Sequence, residues 1–212
     1  MCDPNNWPDF FAQVPRVVVR DPLARLLGSV EGGLIEYGYE DAVALAGHSC
    51  PTVAAAYWLT VCALHALYRG DTPVRGVIRV DVQGLAHEGV AGVQAAVISL
   101  ITGAAPASGF RGIAGKHRRA DLLEFGVRIP AAFAFTRLDT GDAVYAQAQL
   151  VSVAAHPDCQ PLLRDCLAGI ADDAEAARLG ELWQARVKSL LLEYGDDHEV
   201  FQVWPVLGER VN

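Results

Sequence analysis

The apolar segment 51–68, PTVAAAYWLTVCALHALY, constrains the fold more than any other part of this 212-residue chain. It begins with proline and is followed by arginine and glycine, which are typical of the start and the end of a helix. Larger apolar residues recur along it at steps of three and four positions: Val53, Tyr57, Val61, Leu64 and Tyr68. This spacing predicts an amphipathic helix with a broad buried face.

The segments around this helix predict both helices and strands. Residues 21–33 begin with Asp-Pro, which predicts a short helix with an aspartate N-cap. Residues 75–83 alternate in the way typical of a strand, and residues 87–103 predict a second helix that is closed by glycine. Residues 127–153 predict two strands joined by the turn DTGD, and residues 158–197 predict two helices.

This order predicts an α+β fold with a mixed or antiparallel sheet, packed with helices and followed by a C-terminal pair of helices. No linker rich in proline or serine divides the chain. We therefore expect an N-terminal arm over residues 1–20 and a single domain over residues 21–212.

Net charge, apolar runs and cysteine content exclude some classes of function and cellular location. The formal net charge of −8 argues against broad nucleic-acid binding. No apolar run is expected to reach the roughly 18 residues of a membrane span, and no basic region precedes an apolar stretch near the N-terminus. The five cysteines, an odd number without a CxxC pair, suit reduced thiols. We therefore expect a cytoplasmic protein that contacts neither nucleic acid nor membrane.

The motif AGHSCP, at the start of the predicted helix, is a candidate metal-binding or reactive site. Pro51 belongs in a first helical turn, so Cys50 is predicted at the N-cap, where backbone donors and the helix dipole favour a thiolate. His48 lies two residues earlier and can bring an imidazole to the same point. Imidazole and thiolate suit zinc, and also iron or copper. A buried thiol beside a structural histidine remains the competing interpretation.

Three segments carry a resemblance to a known family: GHSCPTVAAAYWL, LITGAAPASGFRGIAGKHRRADLLEFG and LGELWQARVKSLL. Together they resemble the FmdE family, which takes its name from a component of formylmethanofuran dehydrogenase and whose members carry a GHxCPG signature that opens a helix. The resemblance covers roughly residues 40–195. It implies an α+β domain that binds a metal, often zinc, and forms dimers.

The chain departs from the family pattern at several positions. Thr52 and His117 replace glycines, Ala104 replaces a cysteine, and Val93 and Ala96 replace a cysteine and an aspartate. The family's C-terminal zinc finger is also expected to be absent. The resemblance therefore carries over the first ligand pair and none of the later ligands.

Other residues are candidates to complete the ligand set. His87, between the predicted strand and the second helix, is the first choice, and Glu88 is an alternative oxygen ligand or an orienting partner. His117 is a further alternative. Its neighbours Lys116 and Arg118 form a basic loop that would hold a small anionic ligand or be simply solvated.

Several functions are compatible with these residues. The favoured hypothesis is a metal-binding domain, with zinc at His48, Cys50 and His87, that acts as an accessory or carrier protein or as a metal-dependent enzyme. It would take a thiol or an anionic ligand at an open position and would form a homodimer. A metal-free enzyme with Cys50 as nucleophile, a haem-binding module using Cys50-Pro51, and a structural protein are the alternatives.

Overall fold

The structure, a computed structural model, describes residues 7–206. Its helices are α1 (Pro22–Leu26), α2 (Tyr39–Ala46), α3 (Pro51–Tyr68), α4 (Ala91–Thr102), α5 (Cys159–Leu167) and α6 (Asp173–Lys188). Its strands are β1 (Val17–Arg20), β2 (Leu34–Tyr37), β3 (Ile78–Val82), β4 (Leu123–Phe125), β5 (Phe133–Arg137), β6 (Ala143–Ala148) and β7 (Phe201–Pro205). The predicted α+β class and the C-terminal pair of helices, α5 and α6, are confirmed.

The main sheet is mixed and has five strands in the order β4-β3-β5-β6-β7. The pair β3–β4 is parallel and the other pairs are antiparallel. The predicted hairpin is confirmed: β5 and β6 pair with Phe135 opposite Val144, and the Arg137 N–H donates to the Asp142 carbonyl at 2.8 Å across the DTGD turn. A separate antiparallel pair, β1–β2, was not predicted.

Helix α3 forms the centre of the core, where it packs against α4, β6 and β7. Tyr57, Leu59 and Leu64 are fully buried along it. The Thr60 hydroxyl is buried too, and it donates to the Ala56 carbonyl one turn earlier at 2.7 Å, so its donor is paired. The helix therefore contributes apolar side chains around most of its circumference.

The expectation that no apolar stretch reaches membrane-spanning length needs correction. In the described part of the chain, α3 is long and apolar enough to cross a membrane by length and composition. Its mean hydropathy is 1.2, and 67% of it is buried inside the protein, which is also how a core helix behaves.

The first residues of the described range are packed and do not extend away from the domain. Phe10, Phe11 and Val14 are buried, and the ring of Phe11 meets that of Tyr39 edge to face at 4.8 Å. The described part of the predicted arm over residues 1–20 therefore covers the domain core with its apolar side chains. Residues 1–6 lie outside the described part.

Helix α4 begins later than predicted. The sequence suggested a start near His87, with Gly89 inside the helix, but Gly89 adopts a φ of +51° ahead of the first helical residue. A left-handed residue does not continue a right-handed helix, so the helix begins at Ala91. Its predicted end is confirmed, because Gly103 follows Thr102 at a φ of +73°.

Candidate functional site

The first candidate feature is the start of α3. Pro51 is the first helical residue, and Cys50 takes the predicted N-cap position in an extended conformation. The Cys50 sulfur accepts the Val53 N–H at 3.5 Å and is the helix's side-chain cap. Cys50 is buried, with 9% of its surface exposed. The thiol therefore pairs with one of the backbone N–H groups that have no acceptor within the first turn of the helix.

His48 lies in the turn between α2 and α3. Gly47 ends α2 at a φ of +76°, which turns the chain and leaves His48 exposed. The His48 Nδ1 lies 3.0 Å from the Ala46 carbonyl oxygen, and a carbonyl can only accept, so Nδ1 carries the proton. In the neutral imidazole, Nε2 is then the unprotonated nitrogen, which is the atom that can bind a metal.

The imidazole of His48 stands at the edge of an apolar cavity of about 310 Å³ between α2 and α4. The other lining residues are Leu45, Ala46, Gly92, Val93, Ala96 and Val97. Val93 and Ala96 are the two positions where the resembled family carries cysteine and aspartate. The fold thus brings these positions to the histidine, but it supplies methyl groups there and no metal ligands.

Ser49 connects this turn to α2 and α6 through hydrogen bonds. Its hydroxyl donates to Oε1 of Gln184 at 2.9 Å and accepts from the Tyr39 hydroxyl at 2.9 Å. Its carbonyl accepts from the Trp183 indole at 3.2 Å and from the Gln184 amide at 3.3 Å. Sequence reasoning did not identify these α6 contacts as positioning groups, since nothing local links residues more than 130 positions apart.

The predicted third ligand, His87, lies in a different turn from His48 and Cys50. His87 is exposed in the turn that precedes α4, and Glu88 uses a carboxylate oxygen to accept the Leu85 N–H at 3.4 Å. Across residues 7–206, no three histidine, cysteine, aspartate or glutamate side chains are grouped so that they could hold a metal ion. The structure therefore does not bring His48, Cys50 and His87 together as one set.

The basic loop divides into residues with different environments. Lys116 is exposed, and Arg118 pairs with Asp121 and donates to the Ala120 carbonyl at 3.1 Å. His117 is half-buried at a φ of +60°. Arg119, which sequence reasoning did not select, is the buried member, with 7% of its surface exposed.

Arg119 belongs to a charged triad inside the protein. It donates to one carboxylate oxygen of Asp21 at 2.7 Å, and Arg75 donates to the other at 2.8 Å. Burial alone would raise the pKa of Asp21, but the hydrogen bond from Arg75 and the charge of Arg119 hold it below its ordinary value. Burial lowers the pKa of Arg119, but an arginine starts so far above neutrality that it stays charged.

The His-x-Cys turn contains one imidazole and one thiol, which are ligand types of borderline-soft metals such as zinc. The number of ligands is too small for a closed structural site, which takes four. No model of a known protein family matches the chain, and no curated protein matches it either. The fold and site together describe an α+β domain with a capping thiol and an oriented imidazole at the start of its central helix.

Proposed function

We propose that this chain is a metal-binding domain, with zinc as the metal, in which His48 and Cys50 are the protein ligands that are already oriented. The observation that carries the proposal is the hydrogen bond from His48 Nδ1 to the Ala46 carbonyl. Metal-binding histidines nearly always donate their second ring N–H in this way, because it fixes the tautomer and the ring orientation.

Cys50 supports the same proposal through a different contact. Its sulfur accepts a backbone N–H at the first turn of α3, which holds the sulfur in place, and a metal would bind it as the thiolate. Bound zinc would supply a Lewis acid and an activated water at its open position. Iron and haem are less favoured alternatives with the same two residues.

The remaining coordination is proposed to come from a bound small molecule with a thiol or an anionic group. The apolar cavity beside His48 has room for the body of such a ligand. His87, or alternatively Glu88 or His117, would join the metal only after a rearrangement, because these residues do not group with His48 and Cys50. The domain would then act as an accessory or carrier protein, or as a metal-dependent enzyme.

Elemental analysis of protein purified without chelator tests this proposal. We expect near-stoichiometric zinc in the wild type and its loss in His48→Gln and in Cys50→Ser, with His87→Ala reporting on the third ligand. Cys62→Ser and His65→Gln are matched controls from the same helix and should keep the metal. The proposal fails if the wild type holds no metal after incubation with zinc, or if the controls lose as much as the site variants.

A second candidate is a metal-free enzyme in which Cys50 is the nucleophile, favoured by the same N–H contact to its sulfur. It predicts that Cys50 of metal-free protein reacts with iodoacetamide faster than Cys62, and that His48→Gln slows Cys50 alone. If zinc blocks this alkylation at one equivalent, the metal-binding proposal is favoured. For the haem alternative, a Soret band would appear on haem addition and vanish in Cys50→Ser.

The oligomeric state and the cellular location are also proposals. A homodimer is implied by the family resemblance, and light scattering would distinguish the 22.7 kDa monomer from a particle of twice that mass. A cytoplasmic location is supported by the thiols of Cys50, Cys62, Cys159 and Cys166, all of which are free in the described part of the chain. Fluorescence imaging of a tagged chain would test it.

A further inference from the structure

A cleft beside α1 combines basic side chains with apolar ones, and the metal-binding proposal does not use it. Its volume is about 560 Å³. It is lined by Arg20, Pro22, Arg25, Leu26 and His117. Two segments far apart in the chain, the end of β1 with α1 and the basic loop, therefore contribute to one surface.

The charges around this cleft are not balanced. Among the described residues that line it there is no carboxylate. Arg20 donates to the Gly32 carbonyl at 3.3 Å, and neither Arg20 nor Arg25 forms an ion pair within residues 7–206. Both guanidinium groups keep donors available for a ligand.

Asp21 lies between Arg20 and Arg25 in the sequence, but its carboxylate pairs with two other arginines. Asp21 is buried, and its two oxygens face Arg75 and Arg119. One carboxylate facing two guanidinium groups leaves the triad with a net charge of +1, and Asp21 itself lies in the chain between Arg20 and Pro22, which both line the cleft. A positive charge inside the protein is screened less by salt than a surface charge, so it strengthens attraction for an anion.

We propose that this cleft binds a small-molecule anion that carries a phosphate, a diphosphate or paired carboxylates. The planar guanidinium group of an arginine is a fork of N–H donors that can donate two parallel hydrogen bonds to such groups. Leu26 and Pro22 would contact an apolar or ring portion of the same ligand, and the volume lies in the range of small-molecule sites. Arg25 and His117 are the proposed contact residues, in place of the predicted Lys116 and Arg118.

This site is separate from the His48 site and does not depend on it. The triad meets the C-terminal end of α4, where the Arg75 guanidinium donates to the Leu100 carbonyl at 3.2 Å. His48 lines its cavity with Gly92 and Val93 at the other end of α4. The 12 residues of that helix span about 18 Å at the standard rise per residue.

Calorimetric titration of the full chain with inorganic pyrophosphate, and then with inorganic phosphate and citrate at constant ionic strength, tests the proposal. We expect wild-type binding of pyrophosphate and a roughly tenfold or larger increase in Kd for Arg25→Gln. Arg25→Lys keeps the charge without the fork, so its Kd should be intermediate. His117→Asn should also weaken binding, and asparagine tolerates the left-handed backbone at this position.

Arg128→Gln is the matched control, because Arg128 is exposed and has no ion pair within residues 7–206. It should leave Kd within twofold of the wild type. Absence of pyrophosphate, phosphate and citrate binding in the wild type would overturn the proposal. Equal weakening by Arg25→Gln and Arg128→Gln would also overturn it, because that result indicates unspecific charge attraction. Melting temperatures of all variants establish that each is folded.

Discussion

The carboxylate of Asp21 accepts hydrogen bonds from the Leu23 and Ala24 N–H groups at the start of α1, and also from two arginine side chains. Removing it would leave Arg75 and Arg119 facing each other without a counter-charge. We expect Asp21→Ala to lower the free energy of unfolding by about 3–5 kcal/mol, the usual result of breaking a buried ion pair. Urea denaturation measures this change.

The control for that experiment is a surface ion pair. Glu181 accepts from Arg178 at 3.2 Å, and both side chains are more than half exposed. Glu181→Ala should therefore change the free energy of unfolding by only about 0–1 kcal/mol. If the two substitutions had equal effects, the triad would be no more stabilising than a solvated pair.

Cys62 offers a second prediction about a single side chain. Burial raises the pKa of its thiol to about 11, and the charge of Asp196 adds to the effect. The thiolate is the reactive form, so alkylation of Cys62 at pH 8 should be slow and should accelerate up to about pH 11. Mass spectrometry of the peptide after timed iodoacetamide treatment measures the rate, and an inflection at about pH 8.5 would contradict the prediction.

At the scale of elements, two helical glycines are expected to respond in opposite ways to alanine. A Cβ at Gly92, in the first turn of α4, would lie 2.6 Å from the Ala86 carbonyl oxygen, whereas one at Gly180 in α6 meets nothing within 4 Å. Gly180→Ala should stabilise the protein by about 0.5–1 kcal/mol. Gly92→Ala should destabilise it by about 1–3 kcal/mol, because the turn before α4 must move.

Thermal or urea unfolding of both variants decides this prediction. The same experiment bears on the site, because Gly92 lines the cavity beside His48. A gain in stability for Gly92→Ala would mean that the turn containing His87 is easily displaced, which would make its recruitment as a third ligand easier.

The elements that the sequence predicts well are those with a local signal. The Pro51 start of α3, the DTGD hairpin and the glycine after α4 each follow from a few adjacent residues. Strands β1, β2 and β4 have only three or four residues each, which is too few for a periodic pattern to be recognised. Their pairing is decided by tertiary contacts.

The residues of the candidate site show the same contrast between positions predicted by adjacent residues and positions decided by tertiary contacts. The capping position of Cys50 follows from Pro51 next to it, and the structure has it there. Burial of Arg119, with its neighbour Arg118 exposed, depends on a partner 98 residues away, Asp21, so no local pattern could distinguish the two. The position of His87 relative to the His-x-Cys turn likewise depends on how α4 packs against α2 and α3, not on the sequence around it.

At the scale of the whole molecule, the triad joins three distant segments. Asp21 follows β1, Arg75 precedes β3 and contacts the end of α4, and Arg119 lies in the loop before β4. The stability of the whole fold should therefore depend on the charge of one carboxyl group. The pKa of Asp21 is lower in the folded protein than in the unfolded chain. Between these two pKa values, the unfolded chain therefore binds a proton at Asp21 more readily than the native protein does.

Because the pKa of Asp21 differs between the folded and unfolded states, the free energy of unfolding depends on pH. The stabilisation by Asp21 is fully present above the unfolded pKa of about 3.9 and is lost as the pH falls through the lower folded pKa. Urea midpoints measured between about pH 7 and pH 2 should therefore fall steeply below about pH 4. Asp21→Asn keeps a capping side chain but no charge, so it should be less stable than wild type at about pH 7, with a gap that narrows in acid. A gap that stays constant down to about pH 2 would show that the charge of Asp21 does not couple proton binding to folding.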